Sequence, residues 1–183
     1  MSLVKITEAE YGVAIDLAYA TANNFTGAPV YKKHDCYLHD VAAEHFRKAV
    51  KFAEAMGYKV KVFDAYRPTE AQEALWAHTP DPDFLAPPWS GSAHSRGVAI
   101  DLTLLDANGN ELDMGTEFDA FTPLSFHSNI EVSADAQRNR RILLGIMTAA
   151  GWDFYDHEWW HYQLHNPRAY RLLSDKEMKL GMM

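Results

Sequence analysis

Cysteine is almost missing from this 183-residue chain: Cys36 is the single one. An internal disulfide is thereby excluded, which suits a reducing compartment. Cys36 could serve as a nucleophile, but it stands in no catalytic motif. Long apolar runs are missing too. No segment approaches the ~18 residues of a membrane span. The first ten residues carry Lys5, Glu8 and Glu10 without a long apolar core, unlike a secretory signal. The chain is therefore expected in the cytoplasm, away from membranes. Basic residues are in deficit, 17 against 25 acidic, for a net charge of −8. Nucleic-acid binding needs a basic face, so that class of partner is excluded. No repeat, low-complexity segment or linker interrupts the sequence. Hydrophobic residues make up 48% and charged residues 23%, an ordinary globular balance. One domain over residues 1–183 is expected, large enough to bury a proper core.

Two stretches carry the chemistry. The first is Ser92-Ala93-His94-Ser95-Arg96-Gly97-Val98-Ala99-Ile100-Asp101, and the second is Glu158-Trp159-Trp160-His161. Together they read as one zinc site. His94, Asp101 and His161 would be three ligands, and water would take the open fourth position of a catalytic centre. Val98, Ile100, Leu102 and Leu104 alternate with Ala99, Asp101 and Thr103, the period of a strand with one buried face. Asp101 thus falls in mid-strand, where an unpaired buried carboxylate is costly and a metal would neutralise it. Trp160, Tyr162 and Leu164 suggest a second strand. On a regular strand Glu158 and His161 would face opposite ways, so Glu158 is placed in the bend before it, near the metal and free to act as a base.

In chain order, residues 3–20 read as an entry strand with irregular structure. Leu38, Ala42, Phe46, Ala49, Ala53 and Met56 mark a helix over 39–56. Tyr58–Ala65 reads as a strand ending at Arg67. Pro68 blocks its continuation, and Thr69 with Gln72 has the spacing of a capping box for the next helix. Residues 79–91 hold four prolines, a loop that could wall or cover a cleft. Asp106–Asn110 is a hairpin turn signalled by Asn-Gly. Ser133 caps a helix over 134–150 with Ala136, Leu143, Leu144, Met147 and Ala150 inward. His39 and His45 read as surface residues, His127 as solvent-facing, and Arg138, Arg140 and Arg141 as a solvated basic face. Residues 176–183 read as a disordered tail. The order of elements gives an α+β class, an antiparallel sheet with packed helices.

The pattern Ser-x-His-x-x-Gly-x-Ala-x-Asp followed late by Glu-x-x-His resembles the VanX-type D-alanyl-D-alanine dipeptidases. These are zinc D,D-peptidases that share a fold with the hedgehog signalling domain. The resemblance runs from about residue 14 to about residue 165. It includes Asp16–Ala20 with Asn24–Gly27, Asp64-Ala65-Tyr66-Arg67-Pro68, Met114–Asp119 and Ala136–Arg140. It implies the hedgehog/D,D-peptidase fold and one Zn2+ per chain on His94, Asp101 and His161. It also implies Glu158 as the general base and Arg67 as the cation facing the metal. Tyr19, Ser92 and Asp119 become substrate contacts, with Asp119 chosen for the free ammonium and Glu117 next in line. The implied substrate is the dipeptide D-Ala-D-Ala. A D,D-carboxypeptidase acting on longer wall peptides is a second reading, although it normally needs export. A zinc-binding module without catalysis is a third, although it would be expected to lack Glu158 or Arg67. The sequence leaves open whether the chain forms a homo-oligomer.

Overall fold

The computed structural model describes residues 2–183. The chain enters through β1 (Leu3–Ile6), a helical turn α1 (Glu8–Tyr11) and a short β2 (Ala14–Ile15). After a long excursion it returns as β3 (Cys36–His39), which pairs antiparallel with β1. Helix α2 (Asp40–Ala55) follows at once. The Nδ1 of His39 accepts from Val41 N, and Asp40 places a negative charge in the first turn, where the helix dipole favours it. The apolar stripe of α2 buries Ala42, Phe46, Ala49 and Ala53, whereas Met56, the C-cap, stays 53% exposed. Next come β4 (Lys59–Asp64) and α3 (Thr69–His78). Beyond them lie β5 (Ala99–Leu105), α4 (Ala134–Ala149), β6 (Asp153–Tyr155), β7 (Glu158–Gln163) and α5 (Asp175–Met178).

Among the described residues, five strands form the central sheet in the order β2-β4-β5-β7-β6. Neighbours run antiparallel except β2, which is parallel to β4. The architecture is α+β, as the order of elements implies. β5 is buried along its whole length, Asp101 and Thr103 included. The expectation of one buried face is therefore corrected: both faces of this strand are covered.

Several residues expected at the surface lie inside. His39 is buried at the start of α2, and His45 is half-buried with its ring on Ala150 O at 2.8 Å. His127 is 4% exposed, packed edge-on against Phe154 and Tyr162, and among the described residues neither ring nitrogen has a partner. Arg140 is fully buried. Its Nε donates to Met114 O at 2.6 Å, Nη1 to Phe126 O at 2.9 Å and Nη2 to Leu124 O at 2.9 Å. One guanidinium thus satisfies three carbonyls of the irregular 114–126 segment, which has few backbone partners of its own. The end of the chain is ordered as well. Met182 is buried, its N–H donates to Asp175 Oδ1 and its carbonyl accepts from Lys32 N. Thr69 makes no capping bond; Pro68 is the N-cap of α3, and Gln72 turns inward instead.

Candidate metal centre and catalytic cleft

Cross-strand register builds the site. Asp64 of β4 pairs with Asp101 of β5, and Asp101 pairs with His161 of β7. Directly opposed residues share a face, so these three side chains form a row across the sheet. A bulge at Phe63 shifts the β4 register by one residue and brings Asp64 into that row. His94 arrives from the turn before β5. Gly97 closes this turn at φ 69°, a backbone that favours glycine, and a Cβ there would meet Leu3 Cδ2 at 2.9 Å and His39 N at 3.1 Å.

The donor set of these side chains fits a cation. His94 Nδ1 sits 2.7 Å from Ala65 O, which assigns the proton to that nitrogen and leaves the Nε2 lone pair facing inward. His161 Nε2 lies 3.2 Å from Gln163 Oε1, which likewise turns Nδ1 inward. His94 Nε2 and His161 Nδ1 are 3.0 Å apart, and Asp101 Oδ1 is 3.3 Å and 3.1 Å from them. In these orientations the two imidazoles and the carboxylate can direct three acceptor atoms at one point. All three residues are buried. Such a set suits a divalent metal, and the ligand types suit zinc.

Glu158 is the first residue of β7, not part of the preceding bend. The parity problem is solved by a step in register. Phe154 pairs with Tyr162 but Tyr155 pairs with Glu158, so one residue along β6 corresponds to four along β7. Glu158 is thereby turned to the same side as His161, with its Oε2 3.7 Å from His161 Nδ1. Burial pushes this carboxyl up to about 8; the charges on Asp101 and Asp119 add to the effect, and His161 and Arg67 oppose it.

Arg67 lies at the β4–α3 junction and is 4% exposed. Its Nε donates to Asp64 Oδ2 at 2.8 Å and its Nη1 to Gln72 Oε1 at 3.0 Å. Nη2 lies 3.6 Å from Asp101 Oδ2, at the edge of the metal cluster. Asp64 also accepts from Tyr31 O–H at 2.8 Å. Gln72 Nε2 donates to Ala86 O at 2.8 Å. The Tyr19 ring covers the guanidinium, with 4.9 Å from Cζ to the centroid, and its hydroxyl donates to Asp119 Oδ2 at 2.8 Å.

The cleft encloses about 290 Å³, at the small end of the ~300–1,000 Å³ typical of ligand pockets. The eight residues that the resemblance assigns to the site line it: Tyr19, Arg67, Ser92, His94, Asp101, Asp119, Glu158 and His161. Glu117 does not; it lines a neighbouring groove. Asp119 is half-buried at φ 58°, and burial pushes its carboxyl up to about 8. Ser92 reaches the cleft from a turn and not from an extended strand. Ala93 is helical in backbone, and the Ser92 hydroxyl accepts from His94 N at 3.1 Å. Pro82–Ala86 of the proline-rich loop form a wall of the cleft, joined to β6 where Tyr155 O–H donates to Asp83 O at 3.0 Å. Sequence reasoning missed Asp64, Gln72, Tyr31 and Tyr155. Of these, Asp64 stood in a quoted motif three residues before Arg67, a usable signal. Cys36 is buried away from the cleft, and burial raises its thiol far from thiolate chemistry.

An α+β fold with a buried His-Asp-His cluster, an adjacent carboxylate and a pinned arginine in a small cleft defines a candidate metal-centred hydrolase. Comparison with known proteins narrows the class. A family model described as D-ala-D-ala dipeptidase, peptidase M15, matches residues 1–178. The chain belongs to that family. It is 43% identical over 162 residues to the D-alanyl-D-alanine dipeptidase of Escherichia coli (strain K12), covering 88% of this chain and 84% of the relative. It is 35% identical over 189 residues to that of Enterococcus faecium, covering 90% and 94%. The D-alanyl-D-alanine dipeptidase of Streptomyces coelicolor is 33% identical over 187 residues, covering 87% and 89%. No helix among the described residues is long and apolar enough to cross a membrane.

Proposed function

We propose that this chain is a cytoplasmic zinc dipeptidase that hydrolyses D-alanyl-D-alanine to two D-alanines. The observation that carries the reading is the convergence of His94, Asp101 and His161 acceptor atoms beside Glu158 and Arg67 in one small cleft. His94, Asp101 and His161 would hold the zinc, which supplies a Lewis acid and lowers the pKa of a bound water. Glu158 takes the proton of the attacking water and delivers one to the leaving amine. The Nη2 corner of Arg67 faces the developing oxyanion. A permanently charged fork of donors suits that task, and losing such a donor typically costs about 2.7–4 kcal/mol of activation. Asp119, steadied by the Tyr19 hydroxyl, takes the substrate ammonium. Ser92 offers its remaining O–H to the dipeptide.

Substrate length tests the reading. An acylated amine has no charge for Asp119 to pair with and brings bulk into a cleft of about 290 Å³. Sites built around such polar partners reject the wrong substrate by about 10⁴-fold or more. N-acetyl-D-Ala-D-Ala should therefore be a very poor substrate, and Asp119→Ala should narrow the gap to the free dipeptide. The measurement is kcat/KM for both substrates with both enzymes. Comparable rates for the wild type would replace the dipeptidase by a carboxypeptidase, and an unchanged ratio in the variant would take the ammonium contact away from Asp119.

A further inference from the structure

Arg67 offers five N–H donors, and its usefulness depends on which of them are free. Asp64 occupies Nε and Gln72 occupies one hydrogen of Nη1, so the guanidinium is held at two of its three nitrogens. With Asp64 alone, the plane could pivot about the single Nε bond. The second anchor fixes the plane and leaves Nη2 as the corner presented to the cluster, 3.6 Å from Asp101 Oδ2. Gln72 is 2% exposed, sits in the first turn of α3 and is not itself part of the cleft lining. Its amide can be oriented in one way that satisfies both neighbours: Oε1 accepts from Arg67 while Nε2 donates to Ala86 O. Glutamate could accept from the arginine but not donate to the carbonyl. Methionine could do neither. The bond to Ala86 matters because Pro82–Ala86 line the same cleft as the His-Asp-His cluster.

We propose that Gln72 is a positioning residue for turnover, fixing the guanidinium of Arg67 and fastening it to the proline-rich wall at Ala86, so that oxyanion donor and wall are set as one unit. The proposal rests on reading Arg67 as the oxyanion donor. Displacing a catalytic group by about 1 Å costs on the order of 10²-fold in rate. Gln72→Met should therefore lower kcat by at least about tenfold with KM little changed, because the contact it supports strengthens in the transition state.

The test combines kinetics with amide hydrogen exchange on the metal-loaded enzyme. Gln72→Met, Gln72→Glu, Arg67→Ala and the Arg67→Ala/Gln72→Met double variant are compared. In the Arg67→Ala background Gln72→Met should cost no further kcat, since the group it positions is gone. Both Gln72 variants should speed exchange at Phe84 and Leu85, whose N–H groups bond Asp81 O within the wall. Gln72→Glu is nearly isosteric and keeps the arginine contact, so it isolates the wall bond if Gln72→Met folds poorly. Wild-type kcat in both Gln72 variants, the same factor lost with or without Arg67, or unchanged exchange in the wall would each overturn the proposal. Wild-type turnover in Arg67→Ala would instead remove the oxyanion reading on which it rests.

Discussion

His127 should make the stability of this protein fall in mild acid. Its imidazole is buried between Phe154 and Tyr162, and burial pulls it from 6.5 down to about 4. The Arg140 and Arg141 charges push the same way, and Asp156 opposes them. The sign follows from which state takes the proton first. The unfolded chain does, near pH 6.5, so stability is whole above that value and drains as pH falls toward 4. Each pH unit within the window is worth 1.36 kcal/mol, which gives a loss of about 2 kcal/mol near pH 5 and about 3 kcal/mol near pH 4. Replacing His127 by leucine removes the titration. It also removes two buried nitrogens that lack partners among the described residues, so it should cost little at neutral pH. Denaturant unfolding of wild type and His127→Leu across this range supplies the measurement. Titration elsewhere in the protein is common to both chains and cancels in the difference. Parallel stability curves, or a variant that weakens faster than the wild type in acid, would refute the reasoning.

Two further outcomes follow from the geometry. His161→Ala should lose stoichiometric metal, whereas Glu158→Ala should keep it and lose about 10²–10⁴-fold in turnover, as a general base does; metal analysis beside kinetics separates the two. Arg140→Met should cost on the order of 3–5 kcal/mol by stranding three carbonyls, with Arg140→Lys recovering only part because a point charge cannot reach all three, as urea unfolding would show.

The His94, Asp101 and His161 cluster was legible because these residues combine ligand-type chemistry with a period that sequence displays directly. Asp101 had to fall in mid-strand, and it does. The face of α4 was legible in the same way, and it should have revealed Arg140: residues 136, 140, 143, 147 and 150 follow one helical stripe. The long charged side chain masked that position, because exposure is the usual state of arginine and three carbonyls from another segment decided otherwise. His127 carried no comparable signal, since its burial depends on β6 and β7 packing over it. Gln72 shows local pattern yielding to tertiary demand. Thr69-x-x-Gln72 has the letters of a capping box, yet the amide has stronger partners in Arg67 and Ala86. Glu158 was rightly brought beside His161, but through a local bend. The device used is a change in pairing with β6, which depends on a second strand and cannot be read from one.

That change in pairing also divides β7 mechanically. His161, Tyr162 and Gln163 are locked to β5 by a regular ladder, so the ligand end of the strand moves only if the sheet does. Glu158 lies beyond the dislocation and pairs outward with Tyr155. The regular ladder therefore ends at His161, three residues after Glu158. On the proposed mechanism a proton carrier would serve an attacking water and then a leaving amine at different places, and Glu158 would do so from outside the ladder that holds His161.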